Sequence, residues 1–530
     1  MSDSAPQKHV ALYAVLVDGE EIAAEISSRI REVRVLNDLK LADVCTLTAG
    51  FQKAADGRPE PIDSHPFAIG KTLEVRLGAR EALSTTTLFK GEIVTLEPRF
   101  GAGGVELLVR GFDRSHILQR TRRVRAFQNQ TASDIVGKIT DQAGFESDCD
   151  PSGEPHDFIQ QDNETDWDFI WRLADRIGFE FVVEDDVARF RKPASEDPVE
   201  LEWPRTLRSF HPRVTAIQQV KEVTLLTQDP KTKQPIDVTV SSPRQVAEIG
   251  LDRQTVADAF DGASVHIATE PVKSHAEGTA VAQALLDRLA NAYIAAEGVT
   301  DGNPAIRAGT TVAVTGVGSA FSGTYRVVRA THVLRGGSTY ETRFANSPTH
   351  TVLGAVGAER SGAKPRFGAQ LTLGLVTNNQ DPDNMGRVRV RYPSLADDAE
   401  GTWARIASLS AGNRRGVLML PVVGEEVLIG FEHDDTTRPY VLGSLFNGKD
   451  LPADDLLQNA DGSFALRSDK RIYAESREDY TVKSGGRLLI SGQAEIEIDA
   501  QSTLTLKCGN TQIQLSDSGV QVSGEMIELG

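Results

Sequence analysis

Cysteine is scarce: the 530 residues hold three, Cys45, Cys149 and Cys508, far apart and without a CxxC pair. That spacing indicates neither a disulfide framework nor a zinc site, and it suits folding in a reducing cytosol. Long apolar runs are also missing. The early run VALYAVLV, residues 10–17, follows Lys8 and His9 but leads into DGEE with no small-residue cleavage site, so it reads as a buried first strand and not a signal peptide. No segment approaches the ~20 apolar residues that span a bilayer. Positive charge is in deficit: a net charge of -18 and a pI near 5.1 argue against nonspecific binding to nucleic acid or anionic membrane. The motifs HExxH and GxSxG are absent, which removes the commonest sequence signs of a zinc hydrolase or a serine hydrolase.

What is present is a repeat. Apolar pairs two residues apart, Tyr480/Val482, Leu488/Ile490, Ile496/Ile498 and Leu504/Leu506, return every eight residues. The interval holds upstream at Phe464/Leu466 and Ile472/Ala474, then loosens to nine and seven at Ile513/Leu515, Val520/Val522 and Ile527/Leu529. Residues at i and i+2 share one face of a strand, so each octad predicts one short strand with a polar or glycine turn. A narrow ribbon of such strands leaves its apolar face and both edges open. A single-chain solenoid would need three octads per coil and would complete fewer than the ~3 coils that repeat structures require. Three chains winding together close a triangular prism at every octad, and the arithmetic favours that intertwined trimeric β-helix.

The chain is long enough for three or four domains, and its 40% hydrophobic residues suffice for ordinary cores. Residues 1–353 read as a region of two β-barrel-like subdomains plus helices. Alternation in GKTLEVRLG and GEIVTLEPRF gives antiparallel strands. Helices are predicted from Thr131 to Gly144, from Thr165 (with Asp168) to Gly178, and from Ser274 (with Glu277) through Leu285 and Leu289 towards Gly298. The segment from Gly309 aligns with that from Gly70, matching Phe321/Gly323 to Phe89/Gly91, which suggests an internal duplication. Residues 354–366 read as a linker, 367–448 as a five-stranded OB-fold barrel, 449–462 as a second linker and 463–530 as the octad needle. The fold class is therefore mainly β with some α.

Three stretches carry a resemblance: GLVTNNQDPDNMGRVRVRYP, WARIASLSAGNRRGVLMLPVVGEEVLIGFEHDD and RPYVLGSLFNG. They resemble the OB domain of VgrG-type spikes and of contractile-phage baseplate hubs. RGFDRSHILQRTRRVRAFQNQTASDIV and QQDNETDWDFIWRLADRIGFEFVVED resemble the same family's hub more loosely. The resemblance implies a noncatalytic homotrimer, most like the spike of an extracellular contractile injection system, with a type VI secretion or phage baseplate spike as the alternatives. Its hub would adapt a sixfold tail tube, or tube-initiator protein, to a threefold needle that pierces a target cell envelope. Other baseplate proteins would surround it, and a PAAR-type tip protein would sit on Glu525, Ile527, Glu528 and Leu529. No cofactor is implied. Assembly is expected in the bacterial cytoplasm without a signal peptide, in a particle that can be released extracellularly.

The needle's trimer core is assigned to Tyr480, Val482, Leu488, Ile490, Ile496, Ile498, Leu504, Leu506, Ile513 and Leu515. Other motifs read more plainly. DPDNMG, residues 381–386, has calcium-loop spacing at its start, but Tyr392 stands where a bidentate glutamate belongs, so a hairpin turn is expected. FEHDD, with His433, Asp434 and Asp435, reads as a polar turn. In RVRVRY, Arg387, Arg389 and Arg391 alternate with Val388, Val390 and Tyr392. The aromatic sits with the valines, so the arginines lack the interleaved stacking residues of an OB nucleic-acid face. The basic run RTRRVR, residues 120–125, is expected to pair with acidic neighbours. A nucleic-acid-binding OB protein and an envelope-degrading enzyme remain the rivals from other classes.

Overall fold

A computed structural model describes residues 12–52, 65–78, 85–101, 104–184, 186–193, 197–217, 219–229, 232–244, 247–259, 263–267, 272–336, 339–347, 371–393, 400–432, 435–452, 466–468 and 470–526. Both expected linkers lie largely or wholly outside these residues, as do Phe464, His433, Asp434, Ile527, Glu528 and Leu529. The chain forms two compact units, residues 1–451 and 452–530. Among the described residues no helix is long and apolar enough to cross a membrane.

Period-two alternation builds the first module. Its strands are β1 (Leu12–Val17), β2 (Glu20–Glu21), β3 (Ile30–Asp38), β4 (Leu41–Phe51), β5 (Thr72–Gly78), β6 (Thr86–Gly101) and β7 (Gly104–Phe112), with a single helical turn, α1 (Ala24–Ser27). Val33, Val35, Leu47, Leu73, Val75, Val109 and their neighbours fill one core. A 3-10 turn (Arg114–Gln119) then leads into a helical subdomain: β8 (Arg122–Gln130), α2 (Ala132–Gln142), β9 (Glu146–Cys149), β10 (His156–Thr165), α3 (Asp166–Ile177), β11 (Glu180–Glu184) and β12 (Val187–Arg191). Thr131 and Asp134 form a reciprocal capping box on α2. Thr165 caps α3 by accepting from the Asp168 N–H, and Gly178 ends that helix in the left-handed conformation, φ 72°. The basic run behaves as expected, since Arg123 and Arg125 both pair with the buried Asp166.

The second module comprises β13 (Val199–Glu202), β14 (Leu207–Val214), β18 (Ile294–Asp301), β19 (Thr311–Thr315), β20 (Gly323–Arg326), β21 (Arg329–Arg335) and β22 (Thr339–Ala345). Between β14 and β18 lie β15 (Val220–Gln228), β16 (Pro235–Val240), α4 (Arg253–Asp258), β17 (Ala263–Ile267) and α5 (His275–Asn291), packed on their own core. Helix α5 ends at Asn291 and not near Gly298, a correction to the sequence reading. Residues 294–301 alternate buried and accessible and join the sheet, and Gly298 is glycine because a Cβ there would lie 2.2 Å from the Phe344 ring.

The two modules share one eleven-stranded sheet, ordered β14-β18-β22-β21-β3-β4-β7-β6-β5-β1-β2. They are the same motif twice. The Gly70 N–H donates to the Ile93 carbonyl and the Gly309 N–H to the Val327 carbonyl, both at 2.8 Å. Strand β3 is irregular between Ile30 and Glu32 where it meets β4, and β14 is irregular between Leu207 and Ser209 where it meets β18. The partner series Thr95, Arg110, Thr46, Arg34 is matched by Arg329, Ala345, Glu297, His211. The duplication stands, but the glycine alignment is two residues out of step: Ile93 corresponds to Val327, so Gly91 corresponds to Tyr325. Each glycine has its own cause. A Cβ on Gly91 would meet the Phe112 carbonyl oxygen at 2.1 Å, whereas one on Gly323 would meet the Glu248 carbonyl oxygen at 2.0 Å.

A closed five-stranded barrel follows, β23 (Thr372–Asn378), β24 (Val388–Arg391), β25 (Glu400–Ile406), β29 (Pro439–Ser444) and β28 (Glu426–Phe431). Its core is Val376, Val388, Val390, Tyr392, Ala404, Val427, Ile429 and Val441. A two-residue ladder, β26 (Ala411–Gly412) with β27 (Arg415–Gly416), projects from it and leaves Leu409, Val417, Leu418 and Met419 exposed. In the second unit, among the described residues, the expectation of one strand per octad holds for β30 (Thr503–Cys508), β31 (Thr511–Ser516) and β32 (Gly519–Ser523), an antiparallel meander. Residues 470–502 form no strands. The physical reason is the one that the spacing implies, because an isolated rung has no edge to bond and no apolar face to meet.

Gly91→Ala should destabilise the hub by roughly 1–3 kcal/mol, since backbone must move to admit the methyl group. Gly137→Ala, in α2 with nothing within 4 Å of its Cβ position, should stabilise it by roughly 0.5–1 kcal/mol. Chemical denaturation of both variants checks the pair; equal effects of one sign would contradict the packing described.

Candidate interaction surfaces

The octads present an apolar ladder with nothing upon it. Tyr480, Val482, Leu488, Ile490, Ile496 and Ile498 each expose 51–70% of their surface. These six lie in residues 470–502, which form no strand, so no strand pairing sets them against another rung. The structure does join the last four. Leu504 lies opposite Leu515 and Leu506 opposite Ile513, while Ile513 and Leu515 in turn face Val522 and Val520 across β32. Cross-strand partners share a face, so these six residues form one continuous apolar surface, and Leu506 remains 55% exposed. Exposed large aliphatics at every rung are unusual for a folded surface and mark one that something else covers. Of the residues assigned to tip contact, only Glu525 lies among the described residues, in a bend.

The OB barrel carries a second surface. DPDNMG is a hairpin turn locked by charge: Arg387 grips Asp381 at 2.6 and 2.9 Å and Asp383 at 2.7 Å. Asp381 also accepts from the N–H groups of Asp383, Met385 and Arg387. The guanidinium and these amides hold its carboxyl well below the usual carboxylate range. Among the described residues no cluster of three or more metal-binding side chains occurs. Val388, Val390 and Tyr392 face the core as read. The arginines do have aromatic neighbours, which sequence reasoning missed because they come from adjacent strands. Arg387 and Arg389 lie 5.7 and 5.3 Å from the Trp403 ring centre, and Arg405 lies 5.6 Å from that of Tyr440. Alternation in GTWAR is the one signal that could have placed Trp403 on this face. The cations are largely matched already: Arg389 pairs with Glu400 at 3.0 Å and Arg438 with Glu432 at 3.4 Å. A face so neutralised binds phosphate weakly and suits packing against protein.

One pair of carboxylates escaped the sequence reading because its members are far apart in the chain. Asp43 and Asp113 meet at the end of the β4·β7 ladder, where the Asp43 N–H donates to Asp113 at 3.2 Å. Asn37 and the Asp38 N–H donate to Asp43, and Ser115 donates to Asp113. These groups line a cavity of about 50 Å³ with Trp167, Phe181 and Arg307. Desolvation and the neighbouring Asp113 carboxylate push Asp43 up to about 8, and desolvation raises Asp113 as well. Every carboxylate oxygen named has a protein donor, so the pair serves as a structural clasp that holds a proton. A folded-state value raised above the unfolded one means stability present at low pH and lost as pH rises through about 8. Asp43→Asn removes that loss. The variant's advantage over the parent in thermal unfolding should grow by about 1.4 kcal/mol per pH unit between roughly pH 5 and 8 and then level off; a pH-independent difference would contradict the clasp.

Comparison with known proteins follows the same division of the chain. Residues 7–335, more than half of it, match the model described as the Alg8 N-terminal domain, and residues 372–446 match the type VI secretion system/phage-baseplate injector OB domain. The type VI secretion spike protein VgrG1a of Pseudomonas aeruginosa is 23% identical over 392 residues, 65% of this chain and 57% of that protein. VgrG5 of the same organism is 38% identical over 81 residues, 14% of this chain and 10% of that protein. The chain thus spans well under two thirds of the length of these relatives. The solved 43 kDa tail protein of prophage MuSo2 from Shewanella oneidensis shares the fold, with a TM-score of 0.51 at 14% identity, covering 64% of this chain and 98% of that one. From its two modules, its OB barrel and these matches, the chain belongs to the Alg8 N-terminal domain family and is similar over part of its length to VgrG-type spike proteins.

Proposed function

We propose that the protein is the noncatalytic central hub and spike of a phage-tail-like contractile injection machine, working as a homotrimer. The observation that carries this reading is the uncovered ladder of octad pairs. Each rung offers two apolar side chains and two backbone edges, and three copies wound about one axis would cover all of them at once. The duplicated hub supports the same reading: two equivalent modules per chain give six in a trimer, the number needed to meet a sixfold tube. The tube, baseplate proteins and a PAAR-type tip protein are the partners this assigns, and a target envelope is what the needle would cross. Action is mechanical, and the requirement is that many backbone hydrogen bonds must break together before the shaft yields.

Replacing Ile490, Ile498 and Leu506 together with Asp would bring like charges onto the shared axis at several kcal/mol per ion. Analytical ultracentrifugation of the full chain should then report monomers or aggregates in place of trimers. A trimer of undiminished stability in the triple variant would remove the axial assignment.

A further inference from the structure

The octads fix how the needle turns but leave its alignment open. Bends recur along the single chain at residues 470, 477–478, 485–486, 493–494 and 501–502, one to each octad. The first three are made alike: the N–H groups of Lys470, Glu478 and Gly486 donate to the hydroxyls of Ser468, Ser476 and Ser484 at 3.3, 3.4 and 3.3 Å. Gly492, Ala500 and Cys508 stand at the same position in the next three octads, so every corner opens on a small residue. Each octad is thus one arm and one corner.

In three copies about a threefold axis, octads of the same number lie at one height, one to a face. A chain that rounds a corner finds the next face at that height filled by a neighbour's equivalent octad, so it rises by one strand spacing, ~4.8 Å. The next octad of one copy therefore lies over the preceding octad of another, position for position. The apolar pairs do not enforce this alignment. They recur every eight residues, so a copy that slips by a whole octad still fills the core, and a slip of two residues keeps every side chain on its face.

We infer that the exposed charges of the needle, and not its apolar core, set the register in which the copies stack. This rests on the reading of the needle as three copies wound on one axis and adds what aligns them. Across residues 466–508, where the interval is strictly eight, seven same-position pairs of successive octads have both members charged among the described residues: Arg467/Glu475, Lys470/Glu478, Arg471/Asp479, Glu475/Lys483, Asp479/Arg487, Arg487/Glu495 and Asp499/Lys507. All seven are opposite in sign. Six of them occupy the fourth or eighth position of the octad, which alternation turns outward when the first and third point to the axis, and every member is exposed in the single chain. Successive octads of one chain lie on different faces, so these pairs meet only between copies.

Other alignments lose the match. A copy slipped by one octad sets each charge over its own equivalent, or sets Arg467 on Lys483, Arg471 on Arg487 and Asp479 on Glu495, with Lys483 on Asp499 as the one opposite pair. A slip of two residues one way leaves only Arg471/Arg477 and Arg477/Lys483, both repulsive; the other way it sets Arg477 against Arg467 and Arg487 and is relieved by Arg487/Glu497 and Glu497/Lys507. A single chain coiled three octads to the turn would stack Glu475 on Asp499 and Lys483 on Lys507, against one favourable pair, Arg471/Glu495. Single exposed ion pairs stabilise little, but register depends on the difference between attracting and repelling rows, and threefold symmetry makes each row three times. Charges thereby break a degeneracy that the core leaves.

The test reads the register in the full chain carrying Cys508→Ser with Thr481→Cys and Leu489→Cys, outward positions one octad apart that the stacking brings within disulfide reach on neighbouring copies. Mild oxidation should link copies into dimers and closed trimers on a non-reducing denaturing gel, and Thr481→Cys without Leu489→Cys should link at least tenfold less. Adding Glu475→Lys with Asp479→Arg turns four of the seven pairs repulsive and should lower the linked yield at least tenfold, less so as salt is raised. Adding to these Arg467→Glu, Arg471→Asp, Lys483→Glu, Arg487→Asp and Glu495→Arg makes all seven opposite again and should restore the yield to within twofold of the parent. Trimers, by sedimentation, in which the first charge variant links as well as the parent, or the second links no better than the first, would overturn the charge register and leave the trimer reading intact. A parent chain that sediments as a monomer would overturn both.

Discussion

A β-strand edge is a row of unspent hydrogen-bond donors and acceptors, and how this chain disposes of its edges governs the rest of its structure. The OB barrel closes on itself and has none to spare. The hub spends two edges on each other where β21 meets β3, and so fuses two modules into one sheet. The octads cannot spend theirs within one chain: among the described residues before β30 there is no ladder, and the apolar pairs stay exposed. Shared, closed and open edges occur in succession along one polypeptide.

The duplicated modules show how one motif is adapted to two neighbourhoods without losing its hydrogen-bond frame. The first module connects β3 to β4 by a tight turn at Leu39 and Lys40 and uses that turn to hold the helical subdomain, with Lys40 on Asp175 at 2.8 Å and the Trp167 indole N–H on the Lys40 carbonyl at 3.1 Å. The second module opens the same connection to admit β15 to β17 and helices α4 and α5. Side chains then diverge where the frame does not. Gly91 stands where the other module has Tyr325, whose hydroxyl is fixed on the Phe321 carbonyl. Buried polar groups follow the same logic, since His332 is held neutral by burial, its value pulled down to about 3, while Tyr340, Thr342 and the Ile306 carbonyl satisfy its ring.

Much of this was legible in the sequence, for physical reasons that also mark where legibility stopped. Alternation and spacing are local, so the strand-rich hub, the capped helices at Thr131, Thr165 and Ser274, and the OB barrel could all be read from residues near one another. The octad interval showed that one chain lacks a core of its own, and the exposed pairs agree. Local signals misled where a residue answered to a distant partner. Gly298 resembles a helix terminator, but it exists to seat the Phe344 ring. The glycine pair that aligned the modules was out of register because Gly91 yields to Phe112 and Gly323 to Glu248. Trp403 beside Arg389, and Asp43 beside Asp113, are products of strand pairing that no spacing along the chain announces.

The central claim is that the open edges and faces are interfaces between copies, and backbone amide hydrogen exchange on the purified full chain reads it most directly. Among residues 472–498 a single chain supplies no strand partners. If three copies wind together, those amides should be protected to the same degree as the core of the hub, and protection should vanish together across all rungs when the assembly is dissociated. Exchange of residues 472–498 at the rate of an unstructured peptide, in particles that are otherwise assembled and folded, would contradict the account.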